Sequence, residues 1–187
     1  MQALGEKLIS YIAIGLGKDK DFFKPWFAGE CLSTFRSIHY LPRGMSGAKS
    51  DLLSEEDFKL TTPEHADSGF ITLLTTFGYP GLQVLMDGQY RSIKPLHNGI
   101  VVNLGEIFER ITNFTLKATF HRVVDIGVER YSSPFFMEPK YSAVIPANLL
   151  APEEQEKEKP IIYGPWLIRN IARKYVEWRG FLEIAGL

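Results

Sequence analysis

The sequence predicts a mainly β domain, an antiparallel sandwich or barrel with a helix at each end. Three observations carry that prediction. Between residues 65 and 146, short β-rich runs recur with Gly, Pro and Asn between them. The segments before residue 17 and after residue 163 place their apolar residues at helical spacing instead. The chain has 187 residues and one cysteine, a length that buries one core without disulfide or metal staples, so 1–187 reads as a single domain.

Each element follows from local pattern. Leu4, Leu8, Ile9, Ile12 and Leu16 share a helical face and Gly15 and Gly17 end it, giving a helix over 2–16. A charged connection, 18–24, and the aromatic pair Trp26-Phe27 lead into a strand over 32–40, closed by Leu41-Pro42-Arg43-Gly44. From Gly44 to Pro63 small and polar residues predict an exposed loop. Six strands are then predicted at 70–76, 82–86, 100–104, 116–124, 130–136 and 141–145, so the β core spans about 32–146. Residues 152–159 form a solvated charged stretch. Trp166, Ile168, Ile171, Ala172, Tyr175 and Val176 predict a closing helix over about 164–179.

Charge and cysteine usage exclude several function classes. Lys and Arg number 21 against 22 Asp and Glu, which leaves no electrostatic footprint for nucleic acid or an anionic membrane. Cys31 has no partner for an intramolecular disulfide and no thiolate cluster to join, which fits a reducing, cytoplasmic compartment. The N-terminus lacks a signal-peptide pattern, and no run reaches the ~18 apolar residues of a membrane span.

His65 and Asp67, two apart, leave the same face of an extended chain and can converge on one ion. His121 in the strand over 116–124 supplies a third donor, and two imidazoles with one carboxylate match the facial set of non-haem Fe(II) oxygenases. Taken singly, His65 and Asp67 read as an exposed polar pair, and His121 as a hydrogen-bonded core histidine. Arg130 and Ser132 also share a strand face, where a guanidinium fork and a hydroxyl can anchor the far carboxylate of a dicarboxylic acid. Their bland readings are a structural ion pair and a strand end. His39 and His97 are alternative ligands by composition, but His97 sits in a turn signature and reads as a surface residue. Phe135, Phe136, Trp166 and Trp178 read as packing residues.

At these positions the sequence resembles a known family. His65-Ala66-Asp67-Ser68-Gly69-Phe70-Ile71-Thr72-Leu73-Leu74, Gly81-Leu82-Gln83-Val84, Val101-Val102-Asn103-Leu104-Gly105-Glu106, Thr112-Asn113, His121-Arg122-Val123 and Arg130-Tyr131-Ser132 are similar to the 2-oxoglutarate/Fe(II) dioxygenases of the isopenicillin N synthase-like group. The similarity runs from about Phe35 to Pro146. It implies a double-stranded β-helix, the jelly roll of cupin-like proteins. Fe(II) is then held by the residues matching His65, Asp67 and His121, and the 2-oxoglutarate carboxylate by those matching Arg130 and Ser132. Residues 35–40 resemble the strand whose tyrosine approaches the co-substrate, so Tyr40 joins that set, although a half-buried strand tyrosine also serves packing alone.

The implied reaction couples oxidative decarboxylation of 2-oxoglutarate to oxidation, as in hydroxylation, of a small organic substrate by dioxygen, with ascorbate as reductant. It needs no general base, so no catalytic residue is assigned beyond the metal centre. Two alternatives stand beside it: an oxidase or oxidative cyclase of the same family that does without 2-oxoglutarate, and a truncated jelly roll that binds metal or a small acid without turnover. Family members usually carry a segment before the first helix of this chain, which leads us to expect self-association or a partner chain over the uncovered face. Phe114 stands where the family often has glycine, so the turn there is expected to differ. Glu106 replaces the usual aspartate, a milder change.

Overall fold

The computed structural model describes residues 1–42, 60–150, 159–175, 178–184 and 186. Its elements in chain order are α1 (Gln2–Gly15), a 3-10 turn (Lys24–Trp26), β1 (Thr34–Phe35), β2 (Ile38–Tyr40), β3 (Leu60–His65), β4 (Ile71–Thr75), β5 (Leu82–Met86), β6 (Gln89–Ser92), β7 (Val101–Leu104), α2 (Glu106–Ile111), β8 (His121–Val124), β9 (Arg130–Met137), β10 (Val144–Ile145), β11 (Ile161–Ile162), α3 (Tyr163–Lys174) and α4 (Arg179–Ile184).

The strands form two main antiparallel sheets. One runs β1-β9-β4-β7, with β2 also paired to β9, and the other runs β3-β8-β5-β6. Side-chain alternation divides the first sheet between two jobs. Ile71, Leu73, Phe135 and Met137 point to the core, where they meet Ile9 and Ala13 of α1, Phe23, Trp26, Phe70 and the buried side of α2. Thr72, Leu74, Ser132, Pro134 and Phe136, one residue out of phase, face a cavity whose opposite wall is Leu82, Val84, His121 and Val123 of the second sheet. The cavity therefore lies between the two sheets, and the hydrophobic core lies outside the first of them, under the helices.

Several elements differ from the sequence-based expectation. The strand read over 32–40 is broken into β1 and β2. The strand read over 116–124 starts only at His121, and the one over 141–145 is reduced to β10. The helix expected over 164–179 stops at Lys174, because Tyr175 is extended (φ −123°, ψ 114°) and a second helix, α4, follows. Residues 60–63, read as loop, belong to β3, while the rest of that loop from Gly44 and the charged stretch up to Glu158 lie outside the described residues.

Besides α4 and the short strand β11, three further elements were not anticipated. Strand β3 contains Pro63 and is an edge strand with irregular register, the setting in which proline is tolerated. Strand β6 follows β5 through Asp87-Gly88, both at positive φ, a two-residue hairpin turn. Helix α2 is six residues long and buries Ile107, Phe108 and Ile111.

The turn after α2 also corrects an expectation. Phe114 keeps the left-handed conformation (φ 59°) beside Asn113 (φ 48°), so the turn persists and the phenylalanine bears the strain. Among the described residues, one acid is buried on the core side: Glu138 accepts a hydrogen bond from the Tyr163 hydroxyl, and burial pushes its pKa up to about 8.

Candidate metal centre and co-substrate pocket

His65 and His121 face each other across the β3–β8 pair, where they are register partners with ring centroids 4.3 Å apart. Asp67 follows directly, where the chain leaves β3 for the other sheet. Its Oδ1 lies 3.6 Å from His65 Nε2 and 3.9 Å from His121 Nε2, and one donor atom of each residue falls within 4.8 Å of the others. That spacing suits three ligands around a single divalent ion.

The remaining atoms of these side chains are already engaged. His65 Nδ1 lies 2.9 Å from the Pro63 carbonyl, and His121 Nδ1 lies 2.9 Å from the Thr119 carbonyl. With Nδ1–H donating to a carbonyl, each Nε2 keeps its lone pair for a metal. The second carboxylate oxygen of Asp67, Oδ2, accepts from Thr72 Oγ1 at 2.6 Å and Asn103 Nδ2 at 2.8 Å, leaving Oδ1 to face the imidazoles. Thr72 and Asn103 are register partners on β4 and β7. Burial lowers the His65 pKa first of all, helped by the neighbouring His121 and Lys174 against the pull of the Pro63 carbonyl and Asp67, which favours the neutral, ligating imidazole.

Arg130 and Ser132 lie on β9, paired with Tyr40 and Ile38 of β2. Ser132 and Tyr40 line the same cavity as the three metal-ligand candidates, and Ser132 Oγ lies 3.5 Å from the Tyr40 hydroxyl. The Arg130 side chain is buried, 4% exposed, and its guanidinium carbon lies 3.6 Å from the Tyr40 ring centroid. Tyr40 is thus both packing for the guanidinium and part of the cavity wall. Arg130 Nη2 is buried without a hydrogen-bond partner among the described residues. A buried cation with an unmatched donor calls for an acceptor, and a carboxylate meets that need. Gly81 makes room for it. At φ +120°, a Cβ there would come within 3.2 Å of Arg130 Nη2 and 3.0 Å of the Val124 carbonyl.

The alternative histidines stay outside this set. His39 points away, stacked on Tyr131 at 4.4 Å with Nε2 2.8 Å from Glu129, and His97 is exposed in its turn. The spacing argument missed Thr72, Asn103 and the carbonyls of Pro63 and Thr119. A signal for the first two was present, since both fall on the inward phase of their strands.

Residues 35–139 match the profile of the 2OG-Fe(II) oxygenase superfamily. The chain belongs to that superfamily. A 2-oxoglutarate-Fe(II) type oxidoreductase of Aspergillus fumigatus is 37% identical over 98% of this chain and 51% of its own length. The 1-aminocyclopropane-1-carboxylate oxidase 1 of Cucumis melo is 32% identical over 94% of this chain and 54% of its own. Among solved structures, a full-length Neurospora crassa protein in complex with alpha-KG superposes with a TM-score of 0.78 at 31% identity, covering 92% of this chain and 54% of that one. The chain therefore spans about half the length of the relatives it matches. Its two facing sheets are the double-stranded β-helix of the superfamily.

Proposed function

We propose that this chain holds Fe(II) through Nε2 of His65, Nε2 of His121 and Oδ1 of Asp67, binds the distal carboxylate of 2-oxoglutarate on Arg130 and Ser132, and oxidises a small organic substrate. One observation carries the reading. Every other polar atom of the three ligand side chains is engaged, so each offers its single free donor to the same point.

The bound iron would supply the redox chemistry between dioxygen and the oxo acid. The chain's own contribution is placement. Arg130 neutralises the far carboxylate in a buried site where a charged hydrogen bond is strong, and Tyr40 fixes the plane of its fork. Leu74, Leu82, Val84, Val101 and Val123 give apolar walls to a cavity of about 130 Å³, which keep water from competing. A substrate C–H group is then selected by position, and no side chain needs to take its proton.

A polar group in the cavity wall bears on the substrate class. Arg36 lines it with its guanidinium 5.5 Å from the Phe136 ring, a donor beside a flat apolar surface. This supports a small, flat substrate bearing hydrogen-bond acceptors. The same Neurospora crassa protein, 31% identical, has been crystallised with alpha-KG and thymine, which is a molecule of that kind. Exposed Phe35, Leu41, Val102 and Tyr131 support self-association or a covering partner chain, and the free thiol of Cys31 supports a cytoplasmic location.

The test is succinate formation from 2-oxoglutarate with Fe(II), ascorbate and a panel of flat heterocycles and aliphatic acids. Turnover is expected to require added 2-oxoglutarate and to fall by about a hundredfold or more in Asp67→Ala. Substrate oxidation without 2-oxoglutarate would replace this reading with that of an oxidase. Metal uptake without oxygen consumption would replace it with that of a binding protein. Sedimentation of the same sample as a monomer at every concentration would remove the self-association part.

A further inference from the structure

The peptide carrying Asp67 is held on both sides by groups outside the ligand set. The Glu106 N–H, at the start of α2, donates to the Asp67 carbonyl at 2.8 Å. Lys174, the last residue of α3, donates from Nζ to the Ala66 carbonyl at 2.7 Å and to Ser68 Oγ at 3.1 Å. The same ammonium lies 2.8 Å from Glu106 Oε2, which also accepts from Asn170 Nδ2, one turn earlier in α3, at 2.6 Å. An ammonium has three protons, and here each has an acceptor.

This arrangement does more than join two helices. A pair serving only to dock α3 on α2 would be complete with Glu106 and Lys174. Instead the lysine extends to the residues immediately before and after Asp67. The two side chains are 27% and 29% exposed, so solvent screens them less than a free surface pair. Thr72 and Asn103 set the rotation of the Asp67 carboxylate. They do not fix where its backbone stands, and a ligand atom must be held to within ~0.5 Å.

We propose that Lys174, oriented by Glu106 and Asn170, is a positioning residue for the metal centre: it pins the Ala66–Ser68 turn so that Asp67 Oδ1 faces the two imidazole nitrogens. The proposal rests on the metal-centre reading above. It assigns the final turn of α3, remote in sequence, a part in metal affinity.

Anaerobic titration of the apo full chain with Co(II), followed by its visible absorption, tests this with no turnover involved. Thermal unfolding of each apo variant runs alongside. Lys174→Met keeps most of the stem and removes the ammonium. It is expected to raise the Co(II) Kd by about 10- to 100-fold, the range for loss of a group supporting a metal ligand, at temperatures well below the variant's own unfolding midpoint. Lys174→Arg, which keeps charge and donors, is expected to recover most of the affinity. Should Lys174→Met not fold, Glu106→Gln takes its place. It keeps the backbone N–H on Asp67 and removes the charge that orients the lysine, and a Kd raised about tenfold is expected. A Kd within twofold of wild type in the folded variant, even with a lowered midpoint, would overturn the proposal and leave Lys174 a structural residue. Wild-type protein that takes up no Co(II) would instead overturn the metal-centre reading, and this proposal with it.

Discussion

Arg130 shows how a residue can be costly to the fold and useful to the site. Its guanidinium is buried and Nη2 has no hydrogen-bond partner among the described residues, an arrangement that penalises folding by about 1–3 kcal/mol until an acceptor arrives. Gly81 is what makes the arrangement possible, because no other residue fits both its φ and the space beside Nη2. Gly81→Ala is expected to displace the fork, raising the KM for 2-oxoglutarate by about tenfold or more while changing the metal Kd less than about twofold. Its backbone strain also lowers stability by about 1–2 kcal/mol. Steady-state kinetics at saturating metal measure the first effect, and an unchanged KM would dissociate Gly81 from the anchor.

At the scale of elements, left-handed strain sits where α2 ends as well as at Phe77. Phe114 is 57% exposed and holds φ 59°. Phe114→Gly relieves about 1 kcal/mol of left-handed strain, offset in part by the greater freedom of glycine in the unfolded chain and by loss of the Lys117 contact over the ring. A net gain of about 0.5 kcal/mol is expected in urea unfolding, and a loss of stability would show that the ring contributes more than its exposure suggests.

The same scale shows what was legible in sequence. Strands β4 and β9 were readable because both of their faces carry a regular pattern, one for the core and one for the cavity, and β5 and β7 because alternate residues turn to the cavity. The β5–β6 hairpin was equally legible through Asp87-Gly88, and was missed because β6, mostly exposed, lacks an apolar run. Strand β3 was hidden by Pro63, and α2 by its brevity. The candidate site was readable as residue types at fixed offsets. The hydrogen bonds to Asp67 Oδ2, and the reach of Lys174 from near the far end of the chain, depend on which strands and helices are neighbours, and no local spacing encodes that.

For the whole molecule, Glu138 ties stability to pH. Its pKa is about 8 in the folded chain because burial disfavours the charged form, against an ordinary value of 4.5. Between those values the native state keeps a proton that the unfolded state releases, so this group's contribution is fully present below about pH 4.5 and declines as pH rises to 8. His65 acts in the opposite sense, since its lowered pKa adds stability as pH rises toward the ordinary histidine value. Above about pH 6.5 the glutamate effect outlasts that of the histidine. Unfolding midpoints of apo wild type are expected to fall from about pH 6.5 to 8.5, and Glu138→Gln should flatten that decline. Parallel profiles for the two proteins would remove Glu138 as its source.

The opposite phases of β4 and β9 also bear on how such a protein can be rewritten. Substitutions at Leu74, Pro134 and Phe136 alter the interior of the barrel-like chamber, whereas Leu73, Phe135 and Met137, their chain neighbours, anchor the helices. A combinatorial library confined to those three chamber positions would therefore vary what the chamber accepts while leaving the scaffold's assembly instructions untouched.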